Sequence, residues 1–291
     1  MNDALATFLQ ECRRRVASHL EVGPAYPNAL EDICAFALGD TGKRIRPVLA
    51  ITAAAAVSDN AASVSQPAAA LELIHTYSLI HDDLPAMDDD DMRRGRPSLH
   101  KAFDEATAIL VGDGLQARAF ELIADAPDLS AEQKVRMIKV LAEASGFAGM
   151  VGGQYIDIQA TNSDMSLEDL KAMHEMKTGA LIRASLALGG IAANASEEQL
   201  AALDSYGRHI GLAFQVVDDI LDVEGDSATL GKTAGKDHEA NKPTYVRLLG
   251  LEGAKAEARN LLEQALAALE GFGDSADHLR ELARYIVERD R

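Results

Sequence analysis

Within the segment FQVVDDILDVEGD, residues 214–226, Asp218, Asp219 and Asp222 fall in a run that is otherwise strongly apolar. Positions four apart share a helical face, so Asp218 and Asp222 point the same way. Val216, Val217, Ile220, Leu221 and Val223 would bury much of that helix, and buried unpaired carboxylates are too costly to keep. A cation partner on that face is therefore expected. Lys, Arg or a metal ion would serve, and for an isolated DDxxD an exposed stripe on an amphipathic helix would serve as well.

A second acidic segment changes the balance. LIHDDLPAMDDDDMRRGRP, residues 79–97, follows the apolar run ALELIHTYSLI and crowds six aspartates beside three arginines. In an unbroken helix Asp82 and Asp88 would sit roughly 120° apart around the axis. Pro85 ends or disrupts the helix and lets the later acids turn back. Oxygen-rich clusters of this kind suit hard cations such as Mg²⁺. An EF-hand loop is excluded, because neither segment has its alternating acids, Gly at the sixth place and Glu at the twelfth.

Basic residues gather where a diphosphate would use them: Lys43, Arg44 and Arg46 in GDTGKRIRP, and Arg93, Arg94 and Arg96 in RRGRP. Arg offers a fork of donors matched to phosphate oxygens, and Lys a point charge. The formal net charge is −18, which argues against nucleic acid or an anionic membrane surface as partner. It leaves room for an anionic small molecule held by local cations. GDTGKR lacks the GxxxxGK[ST] spacing, since position 37 is Ala and position 44 is Arg, and no dinucleotide fingerprint follows a strand pattern.

Alanine and leucine recur throughout and Trp is absent, which favours helix. Apolar residues at three- and four-residue spacing predict helices over 3–20, 28–38, 44–57, 67–84, 98–121, 130–159, 166–189, 196–224, 239–269 and 275–289. No useful alternating strand pattern appears. Ser166 with Asp169, and Ser130 with Gln133, have the spacing at which a helix start is capped. The breaks are short, so one continuous all-α domain over 1–291 is expected. Cys12 and Cys34 fit no metal-ligand spacing and point to a reducing compartment. The N-terminal stretch is not patterned as a signal peptide, and the run PVLAITAAAAV is too short to span a bilayer, so a cytoplasmic protein without a membrane anchor is expected.

Taken together, GKRIRP, HTYSLIHDDLPAMDDDDMRRGRP, GGQYIDI, MKTGALI, FQVVDDILDVEGDSATLGKT and the terminal YIVERDR resemble the polyprenyl synthases, most closely their bacterial farnesyl diphosphate group. The resemblance implies a helical bundle of the isoprenoid synthase type with a central cavity, and a homodimer. It implies that Asp82, Asp83 and Asp88, with Asp218, Asp219 and Asp222, hold three Mg²⁺ ions around an allylic diphosphate. Arg93, Lys177 and Lys232 match residues that grip the same diphosphate. Gly42, Lys43, Arg46, His75 and Arg94 match a pocket for isopentenyl diphosphate, while Thr178 and Gln215 match positions whose oxygens face a carbocation. The implied reaction joins isopentenyl diphosphate to dimethylallyl and then geranyl diphosphate by ionisation and 1′-4 coupling. Gln154 and Asp157 of GGQYIDI are given no catalytic role, that motif being readable as a close helix contact through Gly152 and Gly153. Asn241 stands where relatives often have Gly, leaving Lys242 without an assigned role.

Product length follows from helix geometry within that resemblance. A tail running alongside the helix of Asp82 would meet Tyr77 roughly 7.5 Å lower, at 1.5 Å per residue, whereas Ser78 is small and blocks little. A C15 product is expected, with C10 and C20 as its neighbours. A terpene cyclase would be expected to line its cavity with aromatics and lack the second DDxxD, and a non-catalytic synthase-like subunit would need only part of the acidic and basic sets.

Overall fold

The computed structural model of the chain describes residues 3–21, 28–39, 42–58, 64–160, 165–224 and 243–289. These residues are almost wholly helical: α1 Asp3–Leu20, α2 Asn28–Leu38, α3 Ile45–Val57, α4 Ser65–Asp82, α5 Leu99–Ala102, α6 Glu105–Ala124, α7 Ala131–Ser145, α8 Met150–Ala160, α9 Leu167–His174, α10 Ala180–Ala192, α11 Glu197–Glu224, α12 Tyr245–Ala268 and α13 Asp277–Glu288. A π turn, Glu175–Gly179, joins α9 to α10, and a 3₁₀ segment, Glu270–Ala276, leads into α13.

The alanine-rich run that is too short for a membrane becomes α3, a central helix buried from Pro47 to Ala54. Such a helix is apolar all round because it is packed on all sides. α10 lies against it with Leu181, Leu186 and Leu188 buried, and α4 lies beside both. Around this centre α4 pairs with α6 and α11 with α12. Tyr206 of α11, fully buried, donates its hydroxyl to the Leu279 carbonyl at 2.7 Å and so ties α11 to α13. No helix among the described residues is long and apolar enough to cross a membrane.

Several expected boundaries move, each for a local reason. The helix expected over 98–121 is two, because the Asp104 side chain accepts the Thr107 amide at 2.8 Å and opens α6. The one expected over 130–159 ends at extended Gly146 and restarts as α8. The one expected over 166–189 is interrupted by the π turn. α12 begins at Tyr245, where Thr244 accepts the Arg247 amide at 3.2 Å. The cap at Ser166 forms, and Ser130 with Gln133 makes a full capping box. Cys12 and Cys34 are buried free thiols.

A two-stranded antiparallel hairpin, β1 Met92–Arg93 and β2 Arg96–Pro97, was not foreshadowed by any alternating pattern. Its turn residues Arg94 and Gly95 both have positive φ, 52° and 74°. That is the requirement of the type I′ turn, whose twist matches that of paired strands. Glycine takes this conformation freely; arginine does not.

Candidate active site

α4 stops at Asp82, three residues before Pro85, and the chain curls back under its own end. The amides of Asp88 and Asp90 donate to the carbonyls of Asp82 and Asp83 at 2.9 and 3.1 Å, so the later acids return beside the earlier ones. Burial pushes the Asp82 carboxyl up to about 6, with Asp88 adding like-charge repulsion and Lys177 opposing both. A carboxylate so placed is destabilised in its ionised form unless a cation joins it. Asp83, buried, takes a forked ion pair from Arg93, with Nε to Oδ1 at 3.0 Å.

Downstream, Asp89, Asp91 and His100 present ligand atoms within 4.8 Å of one another, and Lys101 pairs with Asp91 at 2.9 Å. This cluster was not anticipated, since His100 lies on α5 beyond the hairpin. Its donors, like the oxygens of Asp82 and Asp88, fit a divalent cation such as magnesium.

The hairpin directs its arginines toward α2, α3 and α4. Arg94 approaches His75 Nε2 at 3.4 Å and packs over Gly42, where a Cβ would intrude on its guanidinium. Arg96 lies over the Phe36 ring at 4.0 Å. Arg44 at the head of α3, also at positive φ, pairs with buried Glu72 at 2.7 Å. Burial brings Arg46 down to about 10, opposed mainly by Glu72, and its Nε has no hydrogen-bond partner. His75 is driven well below its ordinary value by burial and then by Arg46, Arg94, Arg93 and Arg44. Of these four guanidiniums Arg44 and Arg93 already hold the Glu72 and Asp83 carboxylates, so the positive charge beside the imidazole that suits an anion is chiefly that of Arg46 and Arg94. A cavity of about 60 Å³, lined by Thr76, Asp83, Arg93, Arg94 and Arg96 among others, opens beside it.

On α11, Asp218 is held by Arg289 at 2.6 Å, and that guanidinium also covers the Phe214 ring at 4.1 Å. Asp222 follows one turn later, half-buried. Asp219 faces elsewhere: its buried carboxylate accepts the Tyr245 amide at 2.7 Å and caps α12. The resemblance had placed Asp219 with the metal ligands; here it bonds backbone.

The π turn carries Lys177 and Thr178. Lys177 Nζ donates to Asp157 of α8 at 2.6 Å, and Thr178 donates to Gln215 Oε1 of α11 at 2.8 Å. The expected close contact at GGQYIDI forms, since a Cβ on Gly153 would collide with the Lys177 backbone. Tyr77 is buried in α4, and burial raises its phenol above its ordinary value. Ser78 donates to the His75 carbonyl at 2.9 Å. Lys43 is exposed, its carbonyl accepting from Arg13 at 3.2 Å. Lys232, Asn241 and Lys242 lie outside the described residues.

The sequence reading missed Glu72, Arg289, Asp157 and His100. A buried Glu within the apolar ALELIH run was the available signal for Glu72; the rest depend on tertiary contact.

A family model described as polyprenyl synthetase matches residues 27–285. The chain is 48% identical over 256 residues, 86% of each chain, to the farnesyl diphosphate synthase of Escherichia coli strain K12. Among solved structures it is similar to the geranyltransferase of Legionella pneumophila, with 39% identity, a TM-score of 0.84, and 98% of this chain and 96% of that one covered. It is similar also to that of Helicobacter pylori complexed with magnesium and isoprenyl diphosphate, with 35% identity, a TM-score of 0.85, and 99% and 97% covered.

Behind the π turn, burial holds His174 down to about 4 against an ordinary 6.5. The unfolded chain takes up this proton near pH 6.5 and the folded chain does not, so the stability is complete above pH 6.5 and lost as pH falls toward 4, by up to ~1.4 kcal/mol per unit. Urea unfolding between pH 6.5 and 5 is expected to show a shallower pH dependence in His174→Gln than in the parent. Identical slopes would remove His174 from the account.

Proposed function

The chain belongs to the polyprenyl synthetase family, and from that premise we propose that it is a short-chain trans-prenyltransferase making farnesyl diphosphate from isopentenyl diphosphate and the dimethylallyl and geranyl diphosphates. The observation that carries this reading is the pairing of two carboxylate-rich segments with a pocket of four guanidiniums around His75, in a chain of net charge −18. One surface suits metal ions and the other suits phosphate oxygens, which is what a substrate bearing a metal-bound diphosphate and a partner bearing a free one require.

Asp82, Asp83, Asp88, Asp218 and Asp222 would hold magnesium, three ions per site, which when bound supplies positive charge to the leaving diphosphate. Arg93, Lys177 and Lys232 would hold the same diphosphate and stabilise the charge that develops as the allylic C–O bond breaks, its electron pair leaving with the diphosphate. Gly42, Lys43, Arg46, His75 and Arg94 would hold isopentenyl diphosphate. Its double bond attacks the allylic carbon, the new C–C bond leaves a tertiary cation, and loss of a proton to the departed diphosphate restores a double bond. Thr178 and Gln215, already bonded to each other, would turn oxygens toward the positive carbon.

Tyr77, wedged between α4 and α6, would stop the tail at C15. In the same reading the protein is a cytoplasmic homodimer. Ile109 and Leu110 of α6 are 44% and 65% exposed, an apolar face suited to a second copy.

Incubation with dimethylallyl and isopentenyl diphosphates and Mg²⁺, followed by dephosphorylation, is expected to yield mainly farnesol, and none under excess chelator. No elongation by a folded sample would overturn the assignment. Tyr77→Ala should lengthen the product, and an unchanged C15 distribution would remove Tyr77 as the floor. Leu110→Asp should shift the sedimenting species toward monomer; an unchanged dimer would place the interface elsewhere.

A further inference from the structure

GGQYIDI was left without a part in the chemistry, yet α8 bears directly on the π turn Glu175–Gly179. Gly153 lets α8 approach the backbone of Lys177 closer than any side chain would allow. One turn along the same face, Asp157 is 7% exposed and accepts from Lys177 Nζ at 2.6 Å. Lys177 also acts on Asp82 across the site, so its ammonium stands between α8 and the end of α4. An ammonium has three donors on a long flexible stem. Fixing one of them on a buried carboxylate sets the direction of the other two.

The surroundings favour this use. Gln154 is buried with neither amide atom partnered, and His174 Nδ1 likewise has no partner. His174, held neutral at pH 7, brings no competing cation to Asp157. Meanwhile the π turn puts Thr178 onto Gln215 of α11, so α8 and α11 grip consecutive residues from two sides. Single π turns are found mostly where function requires a side chain displaced from α-helical register.

We propose that Asp157 is a positioning residue for the transfer reaction, holding Lys177 Nζ in the orientation from which it meets the allylic diphosphate. The proposal rests on the prenyl transfer reading of Lys177. Gly153 and the π turn set the backbone; Asp157 sets the charge.

The test is a double-mutant cycle of Asp157→Asn and Lys177→Ala, with kcat and both KM values measured using geranyl and isopentenyl diphosphates. Asp157→Asn is expected to lower kcat by ~10–100-fold, the scale of a catalytic group displaced by about 1 Å, with the isopentenyl KM unchanged. In the Lys177→Ala background the same change should have no further effect, because its action passes through Lys177. Equal losses in both backgrounds, or a parent-like Asp157→Asn, would overturn the proposal. Should Asp157→Asn fail to fold, Asp157→Glu keeps the charge and moves the anchor by one methylene. It should lose kcat while retaining the parent melting temperature, and full parent kinetics would again overturn the proposal. A parent enzyme without turnover would sink the prenyl transfer reading and this inference together, whereas an active parent with an indifferent Asp157 would sink the inference alone.

Discussion

Carboxylates removed from water must be matched by cations or donors, and the site is organised around that demand. Asp83 has Arg93, Asp218 has Arg289, Asp157 has Lys177, and Glu72 has Arg44. Where both partners are buried, as in Arg44–Glu72, removing one typically costs ~3–5 kcal/mol because the other charge is stranded, whereas solvent screens the pair of half-exposed Asp218 and lowers its worth. The pairs join α4 to the hairpin, α11 to the C-terminal end, α8 to the π turn and α3 to α4. Much of the architecture of the site is therefore held by the charges that the ligands would have to rearrange.

The two ends of the pocket differ in what they lack. Around Asp82 and Asp88 burial, with like charge adding to it, raises a carboxyl to about 6. Around His75 burial, and after it the neighbouring guanidiniums, drive the imidazole well below its ordinary value. Arg93 sits between them on β1, and positive-φ residues Asp89 and Arg94 flank it. Strain of this kind persists where the surroundings over-determine the backbone. Here the forked pair to Asp83 and the approach to His75 supply that determination.

Much of this was legible in the chain. Three- and four-residue apolar spacing located the helices, and carboxylates inside apolar runs announced the two acidic segments. Pro85 foretold the turn that brings Asp88 back. What could not be read were partners brought in from afar: Arg289 reaches Asp218 across 71 positions, and Lys177 reaches Asp157 across 20. The hairpin escaped because two-residue strands leave no alternation. Asp219 shows the opposite difficulty, since one motif holds neighbours on different faces, and its carboxylate caps α12. The π turn escaped because apolar spacing runs through it with little interruption.

That turn also acts as a phase shifter. A π turn holds about one residue more than an α turn, and each residue of a helix is worth about 100° of rotation. α9 and α10 therefore do not share one buried stripe. Before the turn, Leu170 and Met173 face inward; after it, Leu181 and Leu188 do. Deleting a single residue within Glu175–Gly179 would leave the composition almost untouched, yet it would wind α10 out of step with α3. The central seam of the bundle and the placement of Lys177 and Thr178 are thus set by the same extra residue.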